Sequence, residues 1–399
     1  MTGKTENKKG YKKTKLGWIP DDWEVVKLSS ICQKIIGGGT PSTLNNDFWK
    51  GNIPWISSSD INNYGNINIR KYISQKAIDN SATNIIPSGS VIVVTRVGLG
   101  KVALSDFDLC TSQDFQSIIV NNNFVINKYL KLCISNLIDR IINNCQGSTI
   151  KGITKDQISN LDLLLPKKVE QEKIAEILST WDDGIETLEK LIKKKEFYKK
   201  AIMQILFMEK PSWQMLRFDR IFKDFCKKNC SEERLLSATQ EQGVVPRDML
   251  SGKVMSPEGS LEGYKLIEVG DFVISLRSFQ GGLEYSKYRG ILSPAYTVLK
   301  NIIDIDKDFY RHFFKSYKFI EKYLSISVIG IRDGKQISYS DLSSVKIPYP
   351  SLDEQKRIGQ LLTTCDEEIC LLKIKLEKLK NQKKGLMQKL LMGEIRVKV

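Results

Sequence analysis

The sequence is poor in the residues that most enzyme chemistry draws on. Histidine occurs once in 399 residues, at His312, which leaves little material for imidazole base catalysis or for histidine metal sites. Its neighbours Phe309, Tyr310, Phe313 and Phe314 place that ring on an apolar helix. No Pro-Pro step exists, so the (D/N)PP(Y/F) run with which an adenine methyltransferase grips its substrate is excluded. The phosphate-cradling GxxxxGK(S/T) loop is also absent, because GSTIKG at 147–152 has the wrong register. Pro20-Asp21-Asp22-Trp23-Glu24 suggests the PD…ExK pattern of a nuclease, but Lys27 stands one position too far on. That fragment reads as a turn before a strand.

Long hydrophobic runs are missing as well. No stretch approaches the roughly 18 apolar residues of a membrane span, and the lysine-rich start MTGKTENKKGYKKTK lacks the apolar core of a signal peptide. A cytoplasmic location and a mobile basic arm are the expectations. The eight cysteines are scattered. Cys226 and Cys230 form a CxxxC and Cys365 and Cys370 a CxxxxC, neither with a matching second pair, so reduced structural thiols are expected. Composition is globular, 41% hydrophobic and 27% charged. Sixty-one Lys and Arg against 46 Asp and Glu give a formal charge of +15, which favours a polyanionic partner, nucleic acid or an anionic membrane surface, over a charge that serves solubility alone.

An internal repeat carries the organisation. Residues 170–208 (EQEKIAEILSTWDDGIETLEKLI…AIMQILFM) align without a gap on residues 354–392 (EQKRIGQLLTTCDEEICLLKIKL…GLMQKLLM), at a constant offset of 184 positions. Pro166 falls on Pro350, Ile174 on Ile358, Asp182 on Asp366, Met203 on Met387 and Gln204 on Gln388. Upstream, 147–171 echoes 331–355, with Lys151 on Lys335 and Ile153 on Ile337, and SGSVIVVTRVG (88–98) echoes VGDFVISLRSF (269–279), with Arg96 on Arg277. Trp23 faces Trp213. Each half runs as a strand-rich region of about 150 residues followed by a long helix. Val91–Thr95, Ser117–Val120, Phe272–Leu276 and Tyr296–Leu299 are the clearest strands, and helices are expected at Asn127–Asn143 and Asp308–Leu324.

Leu178, Trp181, Ile185, Leu188, Ile192, Ile202 and Leu206 recur at spacings of three and four, and Leu362, Cys365, Ile369, Leu372, Leu376, Leu379, Leu386 and Leu390 repeat the seam. A narrow apolar stripe with charged flanks is a coiled-coil pattern, and a helix of this length would span roughly 57 Å. The economical solution packs the two copies against each other, antiparallel. Folding back of each helix on its own head, or binding of another protein, are the competing arrangements. The expected fold is α+β: two mixed α/β globular domains joined by two long helices in an antiparallel coiled coil, with a pseudo-two-fold internal repeat. The expected boundaries are 1–166 for the first head, 167–208 for the central helix, 209–350 for the second head and 351–399 for the C-terminal helix.

Two variable heads, each followed by a near-duplicate long helix, resemble the specificity subunit of type I restriction-modification systems. LGWIPDDWEVVKL (16–28), GGGTPS (37–42), FWKGNIPWISSSDI (48–61) and VVTRVGLGKV (93–102) agree with the family's patterns. The second head departs from them, having LLSATQEQGVVPRDM (235–249) where GGGTPS and IPWIS would stand, so the heads should read unlike half-sites. The resemblance implies a non-catalytic chain whose heads are target recognition domains. The implied partners are double-stranded DNA, two modification (methyltransferase) subunits and restriction motor subunits, with no membrane. It implies no cofactor on this chain; S-adenosylmethionine, ATP and Mg belong to the partner subunits. The target would be bipartite and asymmetric, with the helices setting the gap.

Candidate DNA contacts are basic and polar residues in loops beside strands: Arg96, Lys101 and Arg277 toward guanine edges or phosphates, Ser57, Ser58, Ser59 and Gln280 toward bases, and Lys151, Arg332 and Lys335 toward the backbone. For each alone, a surface ion pair is the plainer alternative. Lys193–Lys195, Glu196 and Lys373–Lys384 are candidate docking surfaces on the helices, or solvated flank. Two other functions stay open: a two-headed coiled-coil scaffold that binds proteins, and the targeting domain of a type IIB-like restriction enzyme.

Overall fold

The computed structural model describes residues 9–144, 152–250, 261–275, 278–324 and 337–398. The chain divides into two compact units, one of residues 1–188 with 376–399, the other of 189–375. Both divisions fall inside the long helices, Lys168–Leu206 and Leu352–Leu391, of 39 and 40 residues. Each unit therefore holds one head and a segment of both helices.

In the first unit the head is built on a four-stranded antiparallel sheet ordered Cys32–Gly37, Phe115–Val120, Val91–Val94, Val102–Leu104. A second sheet runs Lys71–Ile73, Ile53–Ile56, Leu109–Thr111, Ile85–Ile86, with its central pair parallel. The Val91–Val94 run is buried throughout, as a β-branched strand covered on both faces should be. In the second unit, Phe222–Phe225, Thr297–Asn301, Phe272–Ile274 and Glu284–Tyr285 form a sheet in the same strand order as the first head's main sheet. The internal repeat therefore extends to strand order as well as to the helices.

The junction between head and helix is also written twice. Asp162–Leu165 pairs with Glu24–Lys27, and Lys346–Tyr349 pairs with Gln214–Arg217. Just before each pair, Thr154 and Ser338 cap short helices through capping boxes with Gln157 and Asp341. Next, Gln171 and Gln355, both fully buried, sit in the first turn of the long helices. The Gln171 amide accepts the Ile126 N–H (2.8 Å) and donates to the Pro166 carbonyl (2.8 Å). The Gln355 amide accepts the Asp306 N–H (2.9 Å) and donates to the Pro350 carbonyl (2.9 Å). Buried Tyr129 and Tyr310 donate to the Leu164 and Pro348 carbonyls at 2.8 and 2.9 Å.

Each core forms where the head meets both helix segments. In the first unit Trp23, Tyr129, Ile174, Leu178, Leu390 and Leu391 share one cluster; in the second, Phe207, Trp213, Tyr310, Ile358 and Leu362 do. The helix segments run antiparallel within each unit. Asp182 pairs with Lys383 and Glu170 with Arg396 in the first; Lys195 pairs with Glu368, Lys199 with Asp366 and Lys210 with Glu354 in the second. The pairs Asp182–Lys383 and Asp366–Lys199 are the same pair at the offset of the repeat.

Two expectations need correction. The basic start is not a free arm as far as it is described: Tyr11–Thr14 forms a hairpin with Gly17–Pro20, and Lys15 pairs with Asp162 at 2.7 Å. The hairpin holds because the Tyr11 hydroxyl donates to the Gly393 carbonyl (3.0 Å) and Lys12 to that of Asp21 (2.8 Å). The helix expected at Asp308–Leu324 is broken into Lys307–Phe313 and a π-helical turn Phe319–Leu324. Ser316 breaks it, because its hydroxyl donates to the Phe313 carbonyl (2.6 Å) and accepts the Phe319 N–H (3.1 Å), replacing helical bonds.

His312 lies in the second unit's junction, 3% exposed. Its Nε2 lies 3.1 Å from the Arg311 guanidinium and 3.3 Å from the Thr363 hydroxyl, and its Nδ1 faces Asp366 at 3.8 Å. Burial, then Lys199, Arg311 and Lys287, push its pKa from 6.5 to about 2. The unfolded chain therefore binds this proton first, and its contribution to stability is lost as pH falls below about 6.5, by up to ~1.4 kcal/mol per pH unit. A His312→Gln variant should flatten the slope of stability against pH between roughly pH 5 and 6.5, read by urea unfolding at each pH. Gln171→Leu or Gln355→Leu, which leaves a buried N–H and a buried carbonyl without partners, should each cost about 2–4 kcal/mol in the same measurement.

Candidate nucleic-acid interface

On the first head, three segments meet at one rim. The Val91–Val94 strand leads to Thr95, whose carbonyl accepts the Ile153 N–H at 2.9 Å. Exposed Arg96 follows. Gly152 closes the approach from the other side: it has φ +131°, and a Cβ there would stand 2.8 Å from the Thr95 oxygen and 3.4 Å from Arg96 Cγ. Ahead of Lys101, the loop rests on the turn at Ser58–Asp60, where a Cβ on Gly98 would lie 3.7 Å from that of Ser58.

The structure thus brings Arg96, Lys101, Ser57, Ser58 and Ser59 together, but it gives them different work. Lys101 is committed inward, its ammonium donating to the carbonyls of Ser58 (3.1 Å) and Ile61 (2.7 Å). Ser58 is buried. The Ser57 hydroxyl and N–H both donate to Asp60 at 2.7 Å, and Arg70 donates to Asp60 and, at 2.7 Å, to the Ser59 hydroxyl. Burial pushes the Asp60 carboxyl up, but the bonds from Ser57 and the charge of Arg70 outweigh it and hold its pKa below the ordinary value. An ionised, fully bonded Asp60 fixes the turn. Arg96 and Ser59 are left facing solvent.

Arg70 also lines a cleft with Trp49, Lys50, Lys71 and Tyr72. These residues extend the rim, and sequence reasoning did not select them. Trp49 and Trp55 meet edge to face at 5.1 Å, and Lys71 stands over the Trp49 ring at 5.3 Å. The alternation of Trp and Lys in FWKGNIPW was the available signal.

On the second head Gln280 is exposed on the short helix Ser278–Gly281. Lys315 anchors that helix, donating to the Gly281 carbonyl (2.9 Å), to that of Gln240 (3.3 Å) and to Glu284 (2.7 Å), which is 1% exposed. Burial pushes the Glu284 carboxyl up, and Lys315 opposes the shift. Beside it the hairpin turn joining Leu236–Thr239 and Gly243–Pro246 lines a cleft with Thr239, Gln240, Glu241, Gln242, Ser275 and Tyr296. Two glutamine amides in a fixed turn suit base edges, and they too went unselected. Lys151, Arg277, Arg332 and Lys335 lie outside the described residues.

A family model described as the type I restriction modification DNA specificity domain matches residues 20–196 and 224–381. The chain belongs to this family. Each specificity match starts near a head and ends inside a long helix. Among relatives, the type I restriction enzyme MjaIX specificity subunit of Methanocaldococcus jannaschii is 34% identical over 45% of this chain and 42% of its own length. The putative MjaX specificity subunit of the same organism is 27% identical over 97% of both chains. Two solved structures share the fold. One comes from work on complex assembly and conformational transition of the type I R-M system, with TM-score 0.60, 16% identity and coverage of 94% of this chain and 99% of that one. The other is the S subunit of a type I restriction-modification system from M. genitalium, with TM-score 0.56, 17% identity and coverage of 92% and 96%. Among the described residues no helix is long and apolar enough to cross a membrane.

The different bonding of Arg96 and Lys101 separates their variants. Arg96→Ala should leave stability unchanged and lower the slope of log affinity for duplex DNA against log salt by about one. Lys101→Ala should instead destabilise the first unit by about 1–3 kcal/mol, read by urea unfolding.

Proposed function

We propose that this chain is the sequence-reading subunit of a type I restriction-modification complex. Each head reads one half of a bipartite, asymmetric DNA target, and the long helices set the gap between the halves. The observation that carries the reading is a repeated junction that presents unlike rims. The same glutamine, tyrosine and strand pair seat both heads, yet one rim offers Arg96, Ser59 and the Trp49–Lys71 cleft, and the other offers Gln280 and the Gln240–Gln242 turn. Equal seating with unequal surfaces is what two half-sites of different sequence require. One head with a few base contacts discriminates by only about 1–3 kcal/mol per mismatch, so two heads at a fixed separation multiply selectivity.

The chemistry falls to partners. Two modification subunits carrying S-adenosylmethionine would methylate adenine, and restriction motor subunits would use ATP and Mg. The long helices supply docking surface in the second unit. Phe197, Tyr198 and Leu371 are 75%, 58% and 67% exposed there. Of the lysines expected to dock, Lys195 and Lys373 are taken up by Glu368 and Glu196 at 2.7 Å, so the apolar side chains are the better anchors.

Mapping methylated adenines in a host that carries this chain with its modification partner should give two unlike short sequences separated by a fixed gap. Four residues inserted at matching positions in both long helices should widen that gap by one or two base pairs, since each helix lengthens by about 6 Å. A continuous or palindromic motif, or a gap unchanged by the insertions, would sink the two-head ruler. Binding indifferent to salt between about 50 and 200 mM would favour a protein-binding scaffold.

A further inference from the structure

The first head carries one feature that base reading does not use. Leu44 is 95% exposed, at the apex of a loop held at both ends. On one side Gly38 and Gly39 thread between strands, where added Cβ atoms would stand 2.1 Å from the Ser112 oxygen and 2.5 Å from the Ala82 backbone. The Gly39 carbonyl accepts bonds from the Trp55 indole (3.0 Å) and the Thr83 hydroxyl (2.8 Å). Pro41 is buried, and the Thr40 hydroxyl bonds the Gln113 side chain. On the other side the Trp49 indole donates to the Ser42 carbonyl (3.1 Å), and the Asn45 side chain accepts the Asp47 N–H (3.1 Å). A loose loop could fold its leucine away from water. This one cannot.

What surrounds the leucine decides its partner. Its neighbours Thr43 and Asn46 are polar, and both line the cleft of Trp49, Lys50, Arg70, Lys71 and Tyr72. A lone apolar knob among polar residues is too small a patch for a protein interface. A knob beside cations and partly exposed rings matches a duplex instead, with phosphates for the cations and an opened base step for the apolar tip. Arg70 ties this cleft to Ser59 and so to the reading rim.

We propose that Leu44 is a wedge that enters a base step at or beside the first head's half-site, with the adjoining cleft holding the flanking phosphates. The proposal rests on the DNA-reading function above. It confines the distortion to one half of the target, because the second head has no GGGTPS string.

The test uses the full chain assembled with its modification subunit and a duplex carrying the methylated motif mapped in the host. 2-Aminopurine is placed in turn at each position of both halves and their flanks. Away from the target adenines, which the modification subunits would flip out of the stack, the wild-type complex should brighten one step in one half only. Leu44→Ala should abolish that rise while the duplex still binds, and Leu44→Met should keep it; the side chain is exposed, so the fold is not at stake. Lys50→Ala should lower the salt slope by about one. Binding with no brightened step, or a rise that survives Leu44→Ala, overturns the wedge and leaves the reading function standing. A wild-type complex that fails to bind the mapped duplex at low salt overturns the reading function, and the wedge with it.

Discussion

A glutamine amide buried in the first turn of each long helix is the constraint on which the architecture turns. The amide has to be satisfied, and its partners come from two directions. Gln171 takes the N–H of Ile126, which leads into the head's helix, and gives to Pro166, which ends the strand before the long helix. Gln355 does the same with Asp306 and Pro350. Leaving such a group unpaired costs more than any surface contact returns. The head can therefore sit on its helix in one orientation only, and the aromatic and aliphatic cluster around Tyr129 or Tyr310 packs that orientation tight.

The second copy of the junction shows which of its parts are interchangeable. Arg396 bonds Glu170 and Asp22 and lies over the Trp23 ring at 5.8 Å. In the other unit Lys210 bonds Glu354 and lies over Trp213 at 5.3 Å. Different residue, same station: a cation supplied from just beyond one helix clamps the first turn of the other. The acidic first turn also suits the positive end of the helix dipole. Beside the helix pairs, Lys131 and His312 occupy corresponding places near Asp182–Lys383 and Asp366–Lys199. Lys131 is held below its ordinary pKa, chiefly by burial. Charge at these stations varies with the copy, while the hydrogen-bonded glutamine does not.

Most of this frame was legible in the sequence because a repeat exposes what packing demands. Pro166 on Pro350 and Ile174 on Ile358 marked the junction, and the three-four spacing marked the seam, of which Leu178, Ile185, Leu362 and Leu376 are buried. The helix break at Ser316 was not legible, since a serine in an apolar run gives no sign that its hydroxyl will capture the backbone. The site was read less well, for a related reason. Lys101 and Ser58 were selected as polar residues near a strand end, yet whether a cation faces carbonyls or solvent depends on contacts distant in sequence. Trp49, Lys71 and Gln242 were not selected, because the cleft and the turn that group them with other exposed side chains form only in the fold.

The same reasoning changes what the net charge of +15 means. Lys199 and Lys383 are spent between helix segments, and Lys210, just beyond one helix, on the first turn of the other. Lys101 and Lys315 are spent on backbone carbonyls, and Lys131 donates to that of Tyr64 at 3.1 Å. Those cations build the frame, and their number says little about how strongly DNA is held. Among the described residues, Arg96, Lys50 and Lys71 face outward on the first head's rim. On the proposed function, selectivity also needs fixed geometry, because each added head multiplies discrimination only if its position is rigid. The buried glutamines serve that rigidity where each head meets its helix.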